Sequence, residues 1–137
     1  ESIGGSAFRD CTSLASIELP ASLESIGDFA FYGCTSLASI ELPLDSSLDS
    51  IGNPFDGCTS LAYAFDGCTS LESIKLPEDS TLEFIGYRAY GGCTSLESIE
   101  FPDPLQSIGN YAFYGCTSLA SVELHASLKS IGNGAFY

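Results

Sequence analysis

The sequence predicts one solenoid spanning residues 1–137, in which short coils stack and share a parallel β-sheet. The dipeptide Ile-Gly recurs along the chain, at Ile3, Ile26, Ile51, Ile85, Ile108 and Ile131. The block Cys-Thr-Ser-Leu begins at each of the six cysteines. The basic step of both patterns is 23 residues. A fixed period of this length indicates repeats that bury their apolar residues by stacking on neighbours. The chain length accommodates about five such coils.

The segment that follows each cysteine is predicted to form a short strand. In the first repeat this segment is L-x-S-I-x-L-P. Its leucines and isoleucine are expected to point inward, whereas Ser16 and Glu18 point outward. Pro20 ends the strand because proline cannot donate to a hydrogen-bond ladder.

The remainder of each coil is expected to turn back through a glycine, an Ala-Phe pair and the cysteine. Leu23 and Ile26 form a second buried corner, and Gly27 permits a turn that a side chain would obstruct. The Ala-Phe pair follows in one helical or 3₁₀ turn, and Phe31 fills the middle of its coil. Tyr90 replaces this phenylalanine in one repeat, so its hydroxyl needs a partner or water.

The repeated pattern I-G-x-x-A-F-x-x-C-x-x-L-x-x-I-x-L-P resembles the BspA-like leucine-rich repeat family along nearly the whole chain. The resemblance implies a right-handed leucine-rich-repeat solenoid with a parallel sheet on one face and turns or short helical or 3₁₀ segments on the other. It also implies a surface-exposed microbial protein that binds host or matrix proteins. The expected location is therefore the cell surface or the extracellular space.

The function expected from this resemblance is a non-enzymatic, protein-binding array used in adhesion. The alternative is a structural spacer or scaffold segment without a ligand of its own. The chain begins at Glu1 and ends within a repeat, so we expect a segment of a longer array. Uncapped ends expose apolar core, which predicts further repeats or end-to-end self-association.

One pair of repeats departs from the period. Cys58 and Cys68 are ten residues apart, which is too short for a coil. Removing Pro54–Ala62 leaves I-G-N-Y-A-F-D-G-C, a regular repeat, so we interpret Pro54–Ala62 as an insertion loop within one coil. In the alternative register, Phe55 occupies the core and the copy containing Phe65 loops out.

The cysteines are predicted to be buried free thiols. Equivalent positions in stacked coils point the same way, whereas a disulfide needs two Cβ atoms that face each other. Cysteine then acts as a small core residue. A metal site needs ligands that converge on one point, so the sequence predicts no metal and no cofactor.

The composition argues against several classes of function. Acidic residues number 18 against 4 basic ones, which gives a formal net charge of -14. Such a chain repels nucleic acids and anionic membranes, and no apolar run approaches the roughly 18 residues of a membrane span. His125 is the single histidine and has no partner at a catalytic spacing. We therefore predict no enzyme, no catalytic residues, no nucleic-acid partner and no membrane insertion.

The outward positions of the predicted strands form the first candidate site, which we call the acidic strip. The strip consists of Glu18, Glu41, Lys75, Glu100 and Glu123, flanked by Ser16, Ser39, Ser73, Ser98 and Ser121. Stacked coils would place its carboxylates about 5 Å apart, where like charges repel, and Lys75 relieves this repulsion. The strip is either a solvated polar face or a recognition site for a basic protein or a cation.

The second candidate site, the aromatic surface, surrounds the Ala-Phe pairs. It consists of Phe29, Tyr32, Tyr111 and Tyr114. Exposed aromatic side chains often anchor protein interfaces. In the alternative interpretation, these rings lean on neighbouring coils and serve only stability.

Overall fold

The computed structural model describes residues 1–41, 63–76 and 81–137, together with the backbone of residues 50–51. These residues form short strands that pair in parallel between successive repeats. In chain order the strands are β1 (Ser2–Ile3), β2 (Ser25–Ile26), β3 (Ser39–Glu41), β4 (Ser50–Ile51), β5 (Ser73–Lys75), β6 (Phe84–Ile85), β7 (Ser98–Ile99), β8 (Ser107–Ile108) and β9 (Ser130–Ile131).

The described strands form two sheets, where the sequence predicts one. Sheet A has the order β1-β2-β4-β6-β8-β9, and sheet B has the order β3-β5-β7. Sheet B is the predicted sheet. Sheet A lies where the sequence predicts only a buried corner. The sequence does not predict this sheet because its strands are two residues long and are too short to show an alternating pattern. Its successive isoleucines align in register, as Ile26 does with Ile3 and with Ile51.

Glycine allows the coils of sheet A to approach one another closely. A Cβ atom on Gly27 would lie 2.6 Å from the backbone nitrogen of Gly5. One on Gly109 would lie 2.8 Å from the carbonyl carbon of Gly86. Any larger residue would therefore push adjacent coils apart, which explains why glycine follows the strand isoleucine.

The third side of the coils is a column of hydrogen-bonded turns. The N–H groups of Ser6, Phe8 and Asp10 donate to carbonyl groups of the next repeat at distances of 2.7–2.8 Å. The intervening N–H groups of Ala7 and Arg9 donate to carbonyl groups three residues back. Alternate amides therefore bond between coils and within a coil, so this column forms a further hydrogen-bond ladder beside the two sheets.

The expected helical or 3₁₀ turn is not found in the described residues, because left-handed backbone interrupts each of these segments. Ser6 and Asp10, for example, have φ angles of 61° and 57°. The residue before each Ala-Phe pair, and before Ala89-Tyr90, is left-handed, at Ser6, Phe29, Tyr63, Arg88, Tyr111 and Gly134. The residue before each described cysteine is left-handed as well, at Asp10, Gly33, Gly67, Gly92 and Gly115. A helix cannot propagate through such residues.

The core is a stack of aromatic rings that runs through the middle of the coils. Its members are Phe8, Phe31, Phe65, Tyr90, Phe113 and Phe136, whose successive ring centroids are 5.1–5.3 Å apart. Phe65 is fully buried between Phe31 and Tyr90. Pro54–Ala62 lies outside the described residues, so its interpretation as an insertion loop stays a prediction.

The hydroxyl group of Tyr90 is the exception within this apolar stack. Tyr90 is fully buried, and its hydroxyl has no hydrogen-bond partner within the described part of the chain. Burial raises the pKa of this phenol well above its ordinary value. The hydrogen-bond partner that is expected from the sequence for this hydroxyl is therefore not found among the described residues.

The five described cysteines are free thiols, and four of them bond between coils. Cys34, Cys68 and Cys93 are buried, as predicted, whereas Cys116 is only partly buried. The Sγ atoms of Cys34, Cys68, Cys93 and Cys116 donate to the carbonyl oxygen of the core aromatic residue in the preceding repeat, at 3.1–3.3 Å. Burial raises the pKa of the Cys68 thiol to about 12. The protonated thiol therefore serves both as core volume and as a donor. Cys11, in the first repeat, is exposed.

Candidate interaction surfaces

The acidic strip follows sheet B and the segments on either side of it. Glu41 in β3 lies opposite Lys75 in β5, and Glu18 forms an isolated parallel bridge with Glu41. Glu100 directly follows β7, whose register with β5 continues the row. Glu123 occupies the same position in the next repeat. All five side chains are exposed, so the strip is a surface feature of successive repeats.

The serines of the strip line up beside these charged residues. Ser39, Ser73 and Ser98 are in register across sheet B. Ser73 is partly buried, and the other serines of the strip are exposed, including Ser16 and Ser121. The hydroxyl groups therefore form a polar margin along the charged row.

An ion pair divides the acidic strip. The Nζ atom of Lys75 donates to Oε1 of Glu41, and this contact raises the pKa of Lys75. Both side chains are largely exposed, at 72% and 67%, so water weakens the pair and its contribution to stability is small. Its main consequence is electrostatic, because Lys75 compensates the charge of Glu41. Beyond Lys75 along the strip, the negative charges of Glu100 and Glu123 remain uncompensated within the described part of the chain.

A cleft opens beside β7 at this end of the strip. A cavity of about 480 Å³ lies between residues 98–103 on one side and Ser121, Glu123 and His125 on the other. The Nδ1 atom of His125 lies 3.3 Å from Oδ1 of Asp103 across its mouth. The cleft is thus lined by acidic side chains and by the end of a strand.

The aromatic surface forms part of a longer row of rings on the turn column. Phe29 and Tyr32 are half-buried, whereas Tyr111 and Tyr114 are 39% and 38% exposed. Tyr63 and Tyr87, which the sequence does not single out, complete the row. Consecutive centroids are 4.9–5.8 Å apart along Tyr32, Phe29, Tyr63, Tyr87, Tyr111, Tyr114 and Tyr137. These rings therefore contact neighbouring coils as well as solvent.

A charged pair that the sequence does not reveal lies within this row. The Nη2 atom of Arg88 is 3.2 Å from Oδ1 of Asp66, and its guanidinium carbon is 5.6 Å and 5.5 Å from the ring centroids of Tyr63 and Tyr114. Asp66 is buried, and burial raises the pKa of its carboxyl group although Arg88 lowers it. A Cβ atom on Gly91 would lie 2.6 Å from Oδ1 of Asp66, so glycine makes room for the pair.

The C-terminal face of the coils exposes apolar side chains. Ile131, Phe136 and Tyr137 are 46%, 41% and 84% exposed. A cavity of about 350 Å³ opens there, between the segment from Cys116 to Val122 and the last two aromatic residues. This face is therefore a third candidate surface, in addition to the acidic strip and the aromatic surface.

A metal site and a membrane-spanning helix each have structural requirements that the described residues do not meet. Within residues 1–41, 63–76 and 81–137, no group of three or more His, Cys, Asp or Glu side chains is arranged to hold a metal ion. The described part of the chain also has no helix of the length and apolar character that a membrane span requires.

Comparisons with known proteins agree with the repeat architecture. The model of the BspA type leucine rich repeat region matches residues 1–63 and 61–137, with six copies of the repeat. A leucine rich repeat protein from T. pallidum is 40% identical over 89% of this chain, with a TM-score of 0.76. No curated protein is a significant match.

Two further crystal structures resemble the chain at lower identity. A leucine rich cell surface protein from Faecalibacterium prausnitzii is 25% identical over 99% of this chain, with a TM-score of 0.64. A leucine-rich repeat protein from Eubacterium ventriosum is 26% identical over 89%, with a TM-score of 0.60. The chain spans 53% of the T. pallidum protein and 40% and 36% of these two.

Proposed function

The chain belongs to the BspA-type leucine-rich repeat family, and on this premise we propose that it is a non-enzymatic array that binds proteins. In this proposal the array is a right-handed solenoid of about five coils, exposed at the cell surface and used in adhesion to host, matrix or other cell-surface proteins. The F. prausnitzii relative, which is described as a cell surface protein, supports this location.

The acidic strip is the proposed contact site, and its exposure across successive repeats carries this assignment. Glu18, Glu41, Glu100 and Glu123 are all exposed, and the backbone of Glu18 and Glu41 is paired between repeats. Extended sheet faces of stacked repeats are the surfaces with which such arrays bind partners. A row of carboxylates on a chain of net charge -14 favours a partner with a basic surface.

Binding to a panel of matrix and cell-surface proteins tests this proposal. Screening acts over about 8–10 Å at physiological salt, so binding through the strip should weaken as salt rises. The test variant replaces Glu18, Glu41, Glu100 and Glu123 with glutamine. The matched control removes the same number of charges elsewhere, through the replacements Glu1→Gln, Asp10→Asn, Glu24→Gln and Glu83→Gln.

The expected result is loss of binding in the strip variant and retention in the control. Equal binding by both variants would remove the strip as the contact site. Binding that is insensitive to salt would instead assign the contact to the aromatic surface of Phe29, Tyr32, Tyr111 and Tyr114. If no panel protein binds, the alternative of a spacer or scaffold segment is favoured.

The exposed C-terminal face supports a second part of the proposal, which is end-to-end self-association. The face carries Ile131 and Phe136, which continue the apolar positions of sheet A and of the aromatic stack. A head-to-tail contact of this kind does not close on itself and gives open chains. Sedimentation of the purified chain should show mass increasing with concentration, and Phe136→Glu should abolish the increase. A monomer at all concentrations would contradict this part.

A further inference from the structure

The strand segment of the Cys116 repeat is not paired with β7, although the same segment is paired in every preceding described repeat. The amide of Ala38 donates to Ala15, that of Glu72 to Ala38 and that of Glu97 to Glu72, at 2.9–3.2 Å. No corresponding bond joins Ala120 to Glu97, and the described chain has none between residues 121–124 and β7. The edge of β7 that faces away from β5 is therefore open.

The opening is local, because the same two repeats are bonded on their other two sides. In the turn column, the amide of Tyr90 donates to the carbonyl oxygen of Ala112 at 2.8 Å. In sheet A, β6 and β8 pair in register. The backbones of the two repeats are thus bonded on two sides and unpaired on the third, where the cavity of about 480 Å³ lies.

A bulky side chain, Phe101, lines the cavity on this unpaired side. It occupies the position that is leucine in the other repeats, as at Leu19 and Leu76. Its side chain is buried, with its ring 5.8 Å from that of Phe113 in the following repeat. The larger ring occupies space between the two repeats at the corner where their strand segments end.

We propose that the open edge of β7 receives an extended, basic segment of a partner protein as an added strand. This inference rests on the proposed protein-binding function and specifies its mode. An unpaired strand edge offers backbone donors and acceptors to an extended peptide, and side-chain contacts then select it. The cavity falls within the range of about 300–1,000 Å³ that ligand sites occupy.

The charge of the cleft determines which segment it accepts. Glu100 and Asp103 lie on the β7 side and Glu123 on the opposite side, and all three are exposed. Among the described residues that line the cavity, His125 is the one basic side chain, and it already contacts Asp103. A segment with lysine or arginine at alternate positions would place its positive charges on one side and pair its backbone with β7.

A blocked hexapeptide of alternating lysine and valine is the probe for this mode. Alternate residues of a strand direct their N–H groups to opposite edges, so only one set can donate to β7. Two versions of the probe, N-methylated on the lysines or on the valines, separate these sets. We expect one version to bind roughly tenfold more weakly or worse, because several hydrogen bonds are lost, and the other to bind nearly as well as the parent.

The variant Phe101→Leu tests the cause of the opening, since it restores the leucine of the other repeats. The expected result is that the edge closes and the affinity for the probe falls roughly tenfold. Backbone groups of β7 that bond to the following repeat can no longer bond to the peptide. Hydrogen exchange provides the second readout. The amides of residues 98–101 should exchange faster than those of residues 73–76 in the free protein, and the probe should slow them.

Several results would overturn the inference. They are equal binding of both methylated versions, no binding of the parent probe at about 1 mM, and amides at residues 98–101 that are as protected as those of β5. The proposed function fails separately. If a panel protein binds Phe101→Leu and wild type equally, the proposed binding function is retained and the added strand is overturned. Probe binding with no panel partner supports the added strand and counts against the adhesion proposal.

Discussion

The Arg88 guanidinium lies 3.2 Å from the buried carboxylate of Asp66, within a row of aromatic rings. The pair connects two successive repeats, and Gly91 leaves the space that it occupies. Arg88 also lies against the rings of Tyr63 and Tyr114. A shift of register between these coils would leave the carboxylate buried without its partner, so the pair disfavours such a shift.

Replacing Arg88 with methionine should destabilise the protein. Methionine retains the apolar stem but removes the charge, so the Asp66 carboxylate is left buried and unpaired. The cost expected at pH 7 is about 1–3 kcal/mol in the free energy of unfolding, because Arg88 is partly exposed and water can replace some of its contact. Urea denaturation measures this change. The variant Asp66→Asn/Arg88→Met should recover part of the loss, and a double variant as unstable as Arg88→Met alone would contradict this explanation.

The pH dependence of Asp66 follows from the direction of its pKa shift. Burial raises the folded pKa of this carboxyl above its ordinary value of 3.8. The folded state therefore holds the proton more tightly than the unfolded state, and stability falls as pH rises from the ordinary pKa through the folded one. Asp66→Asn should lack this fall. The unfolding free energy of wild type minus that of Asp66→Asn should then decrease as pH rises from 4 to 7. An increase in this quantity would contradict the assignment.

Tyr90→Phe should stabilise the protein. The substitution removes a buried hydroxyl group that has no partner among the described residues, and it restores the phenylalanine of the other repeats. An unsatisfied buried group costs about 1–3 kcal/mol, so a gain of about 1 kcal/mol or more in the free energy of unfolding is expected. Phe113→Tyr is the matched control, because it adds a hydroxyl to the next ring of the stack and should destabilise. A less stable Tyr90→Phe protein would show that this hydroxyl has a partner.

The period of the sequence is sufficient to predict the stacking of the repeats but not all of their local geometry. Ile26 and Phe31 recur in phase, and both are buried as expected. Sheet A is missed because a two-residue strand such as β2 is too short to show alternation. The left-handed turns are missed because Phe29 and Tyr63 are residues that rarely adopt positive φ.

The Asp66–Arg88 pair is missed for a different reason. Each member departs from the repeat on its own, and neither departure alone predicts a contact. The available signal lies in their combination with Gly91, since a new acid, a new base and a lost side chain fall at facing positions of adjacent repeats. The opening at β7 is signalled in a similar way by Phe101, which is a larger residue at a leucine position.

The buried thiols should resist alkylation, whereas Cys11 should react quickly. Burial raises the pKa of Cys93 well above its ordinary value and that of Cys116 to about 11, so little thiolate forms near neutral pH. Cys11 is exposed. Mass spectrometry of peptides after brief iodoacetamide treatment at pH 8 should show modification of Cys11 before Cys93. Equal rates at the two sites in folded protein would contradict the burial of Cys93.

The same thiols predict a loss of stability at alkaline pH. Their folded pKa values lie above the ordinary value of 9.0, so stability is fully present below that pH and falls as pH rises through the folded values, which reach about 12 at Cys68. Cys68→Ala should therefore be less stable than wild type at pH 7, because the Sγ contact to the Phe31 carbonyl oxygen is lost. The deficit should shrink above pH 9, and one that is constant from pH 7 to pH 10 would contradict this linkage.

Asp10→Gly should stabilise the first repeat. Asp10 has a φ angle of 57°, and the other described repeats have glycine at this position, as at Gly33 and Gly115. Glycine adopts left-handed backbone without a steric cost, which is about 1 kcal/mol or more for other residues. The ion pair between Arg9 and Asp10 is exposed, so its loss offsets little of this gain.

Thermal and urea unfolding of the Asp10→Gly protein should show a gain of about 0.5–1 kcal/mol, since the greater freedom of glycine in the unfolded chain reduces the benefit. Gly115→Ala is the reciprocal control. Gly115 has a φ angle of 72°, so alanine is strained there and should cost about 1 kcal/mol or more. If Gly115→Ala is neutral, the turn column tolerates a Cβ at this position, and the explanation of its glycines by backbone conformation is wrong.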